Sequence, residues 1–155
     1  MHPGKQPGIG LDYDGTIADT NALKSAWIRQ NLGLEVPPWR TDRTLCVSLI
    51  GLEAYERMGK VVYSPTMTMQ ADEVPGAAAA IRELSCRYRL YIVTARNQEQ
   101  IASCRAWLEK RGMARYIAGY LSSAERASDG SRVNKSELCR HYGIQVLIDD
   151  CGASS

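Results

Sequence analysis

The chain has 155 residues, 45% of them hydrophobic and 23% charged, and 19 basic against 17 acidic side chains leave a net charge of +2. These proportions suit one folded domain, or one domain with a modest insertion. They exclude a disordered tail, a collagen-like repeat and a low-complexity chain. The charge is too small for a nucleic-acid footprint, and no apolar run nears the roughly 20 residues that a membrane-spanning helix needs. With no signal-peptide pattern at the start of the sequence, the expected setting is the cytoplasm, without nucleic-acid or membrane partners.

Gly8 to Tyr13 reads as a short strand with Ile9, Leu11 and Tyr13 on one face, running into the turn-rich Asp12-Tyr13-Asp14-Gly15-Thr16. Residues 20 to 33 set Leu23, Trp27, Ile28 and Leu32 at helical spacing, until Val36-Pro37-Pro38-Trp39 interrupts. A further helical piece is expected from 42 to 60, closed by Gly59, whereas 61 to 72 carry no clear period. Pro75 suits the first turn of a helix, behind Asp72 and Glu73, with Ile81, Leu84 and Tyr88 as its apolar stripe. Leu90 to Thr94 is a continuous apolar run, the pattern of a strand buried on both faces. Asn97 with Gln100 has the spacing of a capping box and opens a helix through Ile101, Cys104 and Leu108 to Gly112. Tyr116 to Leu121 is a third strand candidate, and a polar loop follows from Ser122 to Arg132. Asn134 with Glu137 repeats the capping-box spacing before a short helix to Gly143. Ile144 to Ile148 is the last apolar run, and it ends at Asp149-Asp150.

Strands alternating with helices predict an α/β fold with a parallel sheet covered on both faces, and a working site beyond the carboxyl ends of the strands. Those ends carry Asp12 and Asp14, then Thr94, Ala95 and Arg96, then Asp149 and Asp150, while Lys135 opens the helix before the last strand. Four carboxylates in one crevice repel, so some must protonate or a cation must neutralise them. An oxygen-only donor set without His or Cys favours a hard ion, Mg²⁺ above all. A lysine in a helix's first turn opposes the helix dipole, a local violation expected where an anion must be balanced. Thr94 adds a hydroxyl, and the backbone amides after Asp12 and Thr94 add donors, which together make a pocket for a phosphoryl group. A carboxylate there can attack phosphorus, and a second one two residues on can serve as acid and then base; Asp12 takes the first role and Asp14 the second.

Simpler explanations exist for each residue taken singly. Asp12-Tyr13-Asp14-Gly15 alone could be a solvated turn, Thr94 an ordinary strand-end threonine, and Lys135 a surface lysine. A calcium loop fails because Ile17 and Leu23 occupy the positions that would need Gly and Glu. Two adjacent acids after a buried strand need partners. The ordered set at successive strand ends is what argues for a site. Cys46, Cys86, Cys104, Cys139 and Cys151 are scattered and lack any C-x-x-C spacing, so they are expected to be reduced thiols.

In sequence order, Asp12-Tyr13-Asp14-Gly15-Thr16, Val93-Thr94-Ala95-Arg96, Lys135 and Ile148-Asp149-Asp150 resemble the four signatures of the haloacid dehalogenase (HAD) superfamily of phosphohydrolases. The resemblance implies a Rossmann-like three-layer fold, Mg²⁺ dependence and an aspartyl-phosphate mechanism. It makes Asp12 the nucleophile and Asp14 the acid/base, with Asp12 and the Asp14 carbonyl on the metal. Thr94 and Lys135 would hold the phosphoryl group, with Gly15, Thr16, Ala95 and Arg96 completing that set. Asp150, supported by Asp149, would be the remaining metal ligand. It also implies a core of residues 1–19 and 73–155 and a small helical cap over 20–72 that selects substrates, with Lys24, Arg40, Arg43 and Tyr55 as candidate contacts. Pro75-Gly76-Ala77 leading to Tyr91-Ile92-Val93-Thr94-Ala95-Arg96, with Asp149-Asp150, is similar to the 5′(3′)-deoxyribonucleotidase group. That likeness makes a nucleoside monophosphate one candidate among small phosphomonoester substrates. A non-catalytic phosphate-binding protein and a phosphotransferase or phosphomutase are the competing functions. The chain stops five residues after Asp150, where this superfamily usually continues, so either the sequence is cut short there or the last strand lies on an exposed edge.

Overall fold

The computed structural model describes residues 6–124 and 134–149. Four strands, β1 (Gly8–Leu11), β2 (Arg89–Thr94), β3 (Ile117–Ser122) and β4 (Ile144–Ile148), form one parallel sheet in the order β3-β2-β1-β4. Four helices fill the connection after β1: α1 (Thr20–Leu32), α2 (Arg43–Ile50), α3 (Leu52–Val62) and α4 (Pro65–Gln70). Then come α5 (Ala77–Leu84) before β2, α6 (Gln98–Lys110) before β3 and α7 (Lys135–His141) before β4.

The layers follow from alternation along β2. Leu90 and Ile92 join the main core with Ile81 of α5 and Cys104, Trp107 and Leu108 of α6. Val93 faces the other way and packs with Cys139 of α7 and Ile144. Helices therefore cover both faces of the sheet, as a run of apolar residues in a parallel strand demands. Gly10 of β1 is needed for this fit: a Cβ there would lie 2.9 Å from Val93 Cγ2. A separate apolar cluster of Ile28, Val36, Cys46, Tyr55, Met58 and Val62 lies within α1, α2, α3 and their connections.

Several local details differ from the sequence expectations. The single helix expected from 42 to 60 is two, broken at Gly51, whose φ of 89° an L side chain rarely adopts, and the second runs past Gly59 to Val62. The unassigned stretch 61 to 72 contains α4, capped by Ser64, whose side chain accepts from Met67 N, with Pro65 at its first position. Pro75 is not in the first turn of α5; that helix starts at Ala77 behind Gly76 (φ 84°). Tyr88 lies beyond the end of α5 yet still packs on the core. Asn97 and Gln100 do form a reciprocal capping box. Most of the polar loop expected at 122–132, together with Asp150 and Cys151, lies outside the described residues.

Candidate active site

The loop after β1 carries both central acids. The Asp12 amide donates to the Ile148 carbonyl at 2.9 Å, so the end of β1 and the end of β4 lie side by side. The chain then turns on Gly15 (φ 84°), whose amide donates to Ala18 O at 2.8 Å, while Ile17 and Ala18 amides return to Tyr13 O. This tight return sets Asp12 and Asp14, two residues apart, at the carboxyl rim of the sheet. Tyr13 between them points into the core, edge-on to Trp107 at 5.7 Å. Burial pushes its phenol well above the usual tyrosine range.

Each acid has its own cation. Lys135, the first residue of α7, donates from Nζ to Asp12 Oδ1 at 3.0 Å across 123 positions of sequence. Arg96, just past β2, meets Asp14 at both oxygens: Nε to Oδ2 at 3.0 Å and one terminal nitrogen to Oδ1 at 2.8 Å. The Thr20 hydroxyl also donates to Asp14 Oδ1, at 2.5 Å. The repulsion among carboxylates expected from the sequence is thus met in part by the protein's own lysine and arginine. Arg96 itself is buried. Burial pulls its guanidinium down, and the hydrogen bonds and charge of Asp14 more than reverse that, keeping it above the ordinary arginine range.

Arg96 is held from several sides. Its other terminal nitrogen donates to Thr68 Oγ1 at 2.8 Å, and its guanidinium carbon lies 4.8 Å from the Tyr63 ring centre and 5.2 Å from that of Tyr13. The Ser122 hydroxyl donates to the Arg96 carbonyl at 2.6 Å. Thr94 is buried, and its Oγ1 accepts from the Arg96 amide at 3.2 Å. Thr16 Oγ1 is buried with no partner among the described residues. Asp149 follows β4 and is half-buried; Asp150 falls outside the described residues.

The candidate residues thus divide. Asp12 and Lys135 come together, and Asp14 and Arg96 come together, at the same end of the sheet. Arg96 was expected to touch substrate; in the structure its side chain is spent on Asp14 and Thr68. Lys24 is buried against the rings of Tyr55 and Tyr63, Arg43 lies over Tyr55, and Arg40 lies over Trp39, so these cations pack on aromatic faces. Sequence reasoning missed Thr20, Tyr63, Thr68 and Ser122. None belongs to a motif, and each matters only through a partner distant in the chain or around a turn.

For a hard divalent ion the donor chemistry fits: Asp12 and Asp149 are oxygen donors at the ends of adjacent strands. Among the described residues no group of three or more such side chains converges into a complete cage.

Comparison with known proteins fixes the fold. No family model matches the sequence, and no curated protein matches it. Solved structures do match. A HAD-like family hydrolase from Streptococcus pneumoniae has a TM-score of 0.63 at 17% identity, over 94% of this chain and 76% of that one. A predicted phosphoglycolate phosphatase from Haemophilus somnus has a TM-score of 0.60 at 14% identity, over 94% and 77%. An L-2-haloacid dehalogenase from Xanthobacter autotrophicus, with chloropropionic acid covalently bound, has a TM-score of 0.53 at 11% identity, over 92% and 69%. The fold is that of the HAD hydrolases. Among the described residues no helix is long and apolar enough to cross a membrane.

Proposed function

We propose that the protein is a Mg²⁺-dependent phosphomonoester hydrolase acting through an aspartyl-phosphate, on small phosphorylated metabolites with nucleoside monophosphates among the candidates. One observation carries it: two carboxylates two residues apart, each engaged by a different cation, at the carboxyl end of a parallel sheet. In this scheme Asp12 attacks phosphorus, a bond from its oxygen to phosphorus forms, and the bond to the ester oxygen breaks. Asp14, protonated, gives its proton to that departing oxygen. Water then attacks the aspartyl-phosphate and loses a proton to Asp14, freeing inorganic phosphate and restoring Asp12. Lys135 and Thr94 hold the phosphoryl oxygens, helped by the backbone amides that follow Asp12 and Thr94. Mg²⁺, if held by Asp12, the Asp14 backbone carbonyl, Asp149 and Asp150, would supply positive charge against the phosphoryl oxygens. Helices α1–α3, with their own apolar cluster, act as a small cap over the site.

Asp14 favours phosphate esters over halides. A halide leaves as a weak base and needs no proton, whereas an alkoxide does, so donation of a proton to the leaving group is a task that ester cleavage sets and dehalogenation does not. The test is turnover of p-nitrophenyl phosphate with Mg²⁺, extended to a panel of nucleoside monophosphates and sugar phosphates. Asp12→Asn should abolish turnover and EDTA should do the same; activity that survives either one overturns the corresponding role. Phosphate binding without turnover would point to a binding protein, and transfer to an added alcohol to a phosphotransferase.

A further inference from the structure

Arg96 links the proposed acid to the helical insertion. A guanidinium is planar and its donors form a rigid fork, so turning it to suit one partner turns it for all. One side of the fork grips both oxygens of Asp14, and the remaining terminal nitrogen reaches Thr68 Oγ1 at 2.8 Å. The Tyr63 ring lies against the same group, 4.8 Å from its central carbon. Thr68 is itself firmly seated. Ala71, just past the end of α4, has a carbonyl that accepts from Trp107 Nε1 and from Arg111, both at 2.9 Å, which ties the end of α4 to α6. Tyr63 closes α3 and also lies 5.4 Å from the Lys24 ammonium, measured to the ring centre. The corner between α3 and α4 therefore touches Arg96 with a hydroxyl and with a ring, and Arg96 fixes where the Asp14 oxygens point.

We propose that Thr68 and Tyr63 are positioning residues for the proton-transfer step, setting the plane of Arg96 and through it the aim of Asp14. The inference rests on the hydrolase reading above. When Asp14 donates its proton to the ester oxygen it becomes a carboxylate, and the Arg96 fork, already oriented, stabilises the charge as it forms. A fork turned by loss of the Thr68 bond would hold that carboxylate at the wrong angle.

Two substrates separate this role from general support of the fold. p-Nitrophenolate leaves readily without a proton, whereas the alkoxide of β-glycerophosphate requires one. In single-turnover measurements with Mg²⁺, Thr68→Val and Tyr63→Leu should slow release of glycerol ~10-fold, a fraction of the 10²–10⁴ that a positioned acid supplies, and leave release of p-nitrophenolate within ~2-fold. Thr68→Ser and Tyr63→Phe, which keep the hydroxyl and the ring, should stay near wild type on both. Thermal melts check that each variant is folded. Equal losses on the two esters, or no loss on β-glycerophosphate, overturn the positioning role while leaving the hydrolase intact. A wild-type protein that cleaves neither ester nor any of the nucleoside monophosphates and sugar phosphates overturns the hydrolase and this inference with it.

Discussion

Arg96 at the sheet end and Lys24 within the helical insertion are buried to nearly the same depth, 4% and 5% exposed, but are held in different ways. Arg96 meets a carboxylate at two points. Lys24 meets the Thr41 carbonyl and the Tyr55 hydroxyl, each at 3.4 Å, and the faces of two tyrosine rings. The contrast separates two uses of a buried charge. Charge matched by charge fixes a geometry, because removing either partner strands the other in a poorly solvating interior. Charge held by carbonyls and ring faces strands no ion when it is removed, so it serves mainly to fill and close the space between helices.

The largest expected effect breaks the first of these pairs. Arg96→Met leaves Asp14 without its cation and should lower unfolding free energy by about 3 kcal/mol, together with a ~10²-fold or greater loss of turnover. Urea titration and ester hydrolysis read the two effects, and a variant as stable as wild type would erase the distinction between the two cations. Lys24→Met keeps the length of the side chain and strands no carboxylate, so its stability should remain within about 1 kcal/mol of wild type, in either direction. A loss matching that of Arg96→Met would place an unrecognised anion beside Lys24.

Tyr63 stands against both cations and allows a finer test. Burial pushes its phenol from 10.0 up to about 12, and Lys24 pulls it partly back. A pKa raised on folding means that the folded chain holds this proton more tightly than the unfolded chain. The stability it contributes is full below the unfolded value near 10 and is lost as pH rises toward 12. Wild type should therefore lose stability more steeply between those values than Tyr63→Phe, as measured by unfolding at a series of alkaline pH values. The smallest change expected is chemical. Of the four described cysteines only Cys86 is exposed, while burial pushes Cys104, near Arg96, up to about 12. Iodoacetamide at pH 8 should label Cys86 in the native protein and reach Cys104 only after unfolding, as mass spectrometry can follow; native labelling of Cys104 would mean that the core beneath Arg96 opens.

Much of the core was legible because its signals are local. The apolar run Leu90 to Thr94, the Asn97 and Gln100 spacing and the short run before Asp149 each contain their own reason for forming. The pairing of Asp12 with Lys135 spans 123 positions, yet the order of the motifs placed both at one end of the sheet. The insertion was harder. The break at Gly51 depends on one backbone angle within an otherwise helical pattern. Helix α4 has only 6 residues, too few to display a stripe, although Ser64 and Pro65 announce its start. The partners of Arg96 were not legible at all. Thr68 lies 28 positions away and Asp14 82, on elements that only the tertiary fold brings together.

The amide of Asp12 is bonded to the last residue of β4, which among the described residues is an outer strand of the sheet, with Val146 and Ile148 exposed. The proposed nucleophile is thus moored to an outer strand of the described sheet. In deuterium oxide that single amide should behave as a sentinel: its exchange rate reports the fraying of the border strand, and hence how often the site comes apart while the rest of the sheet stays intact.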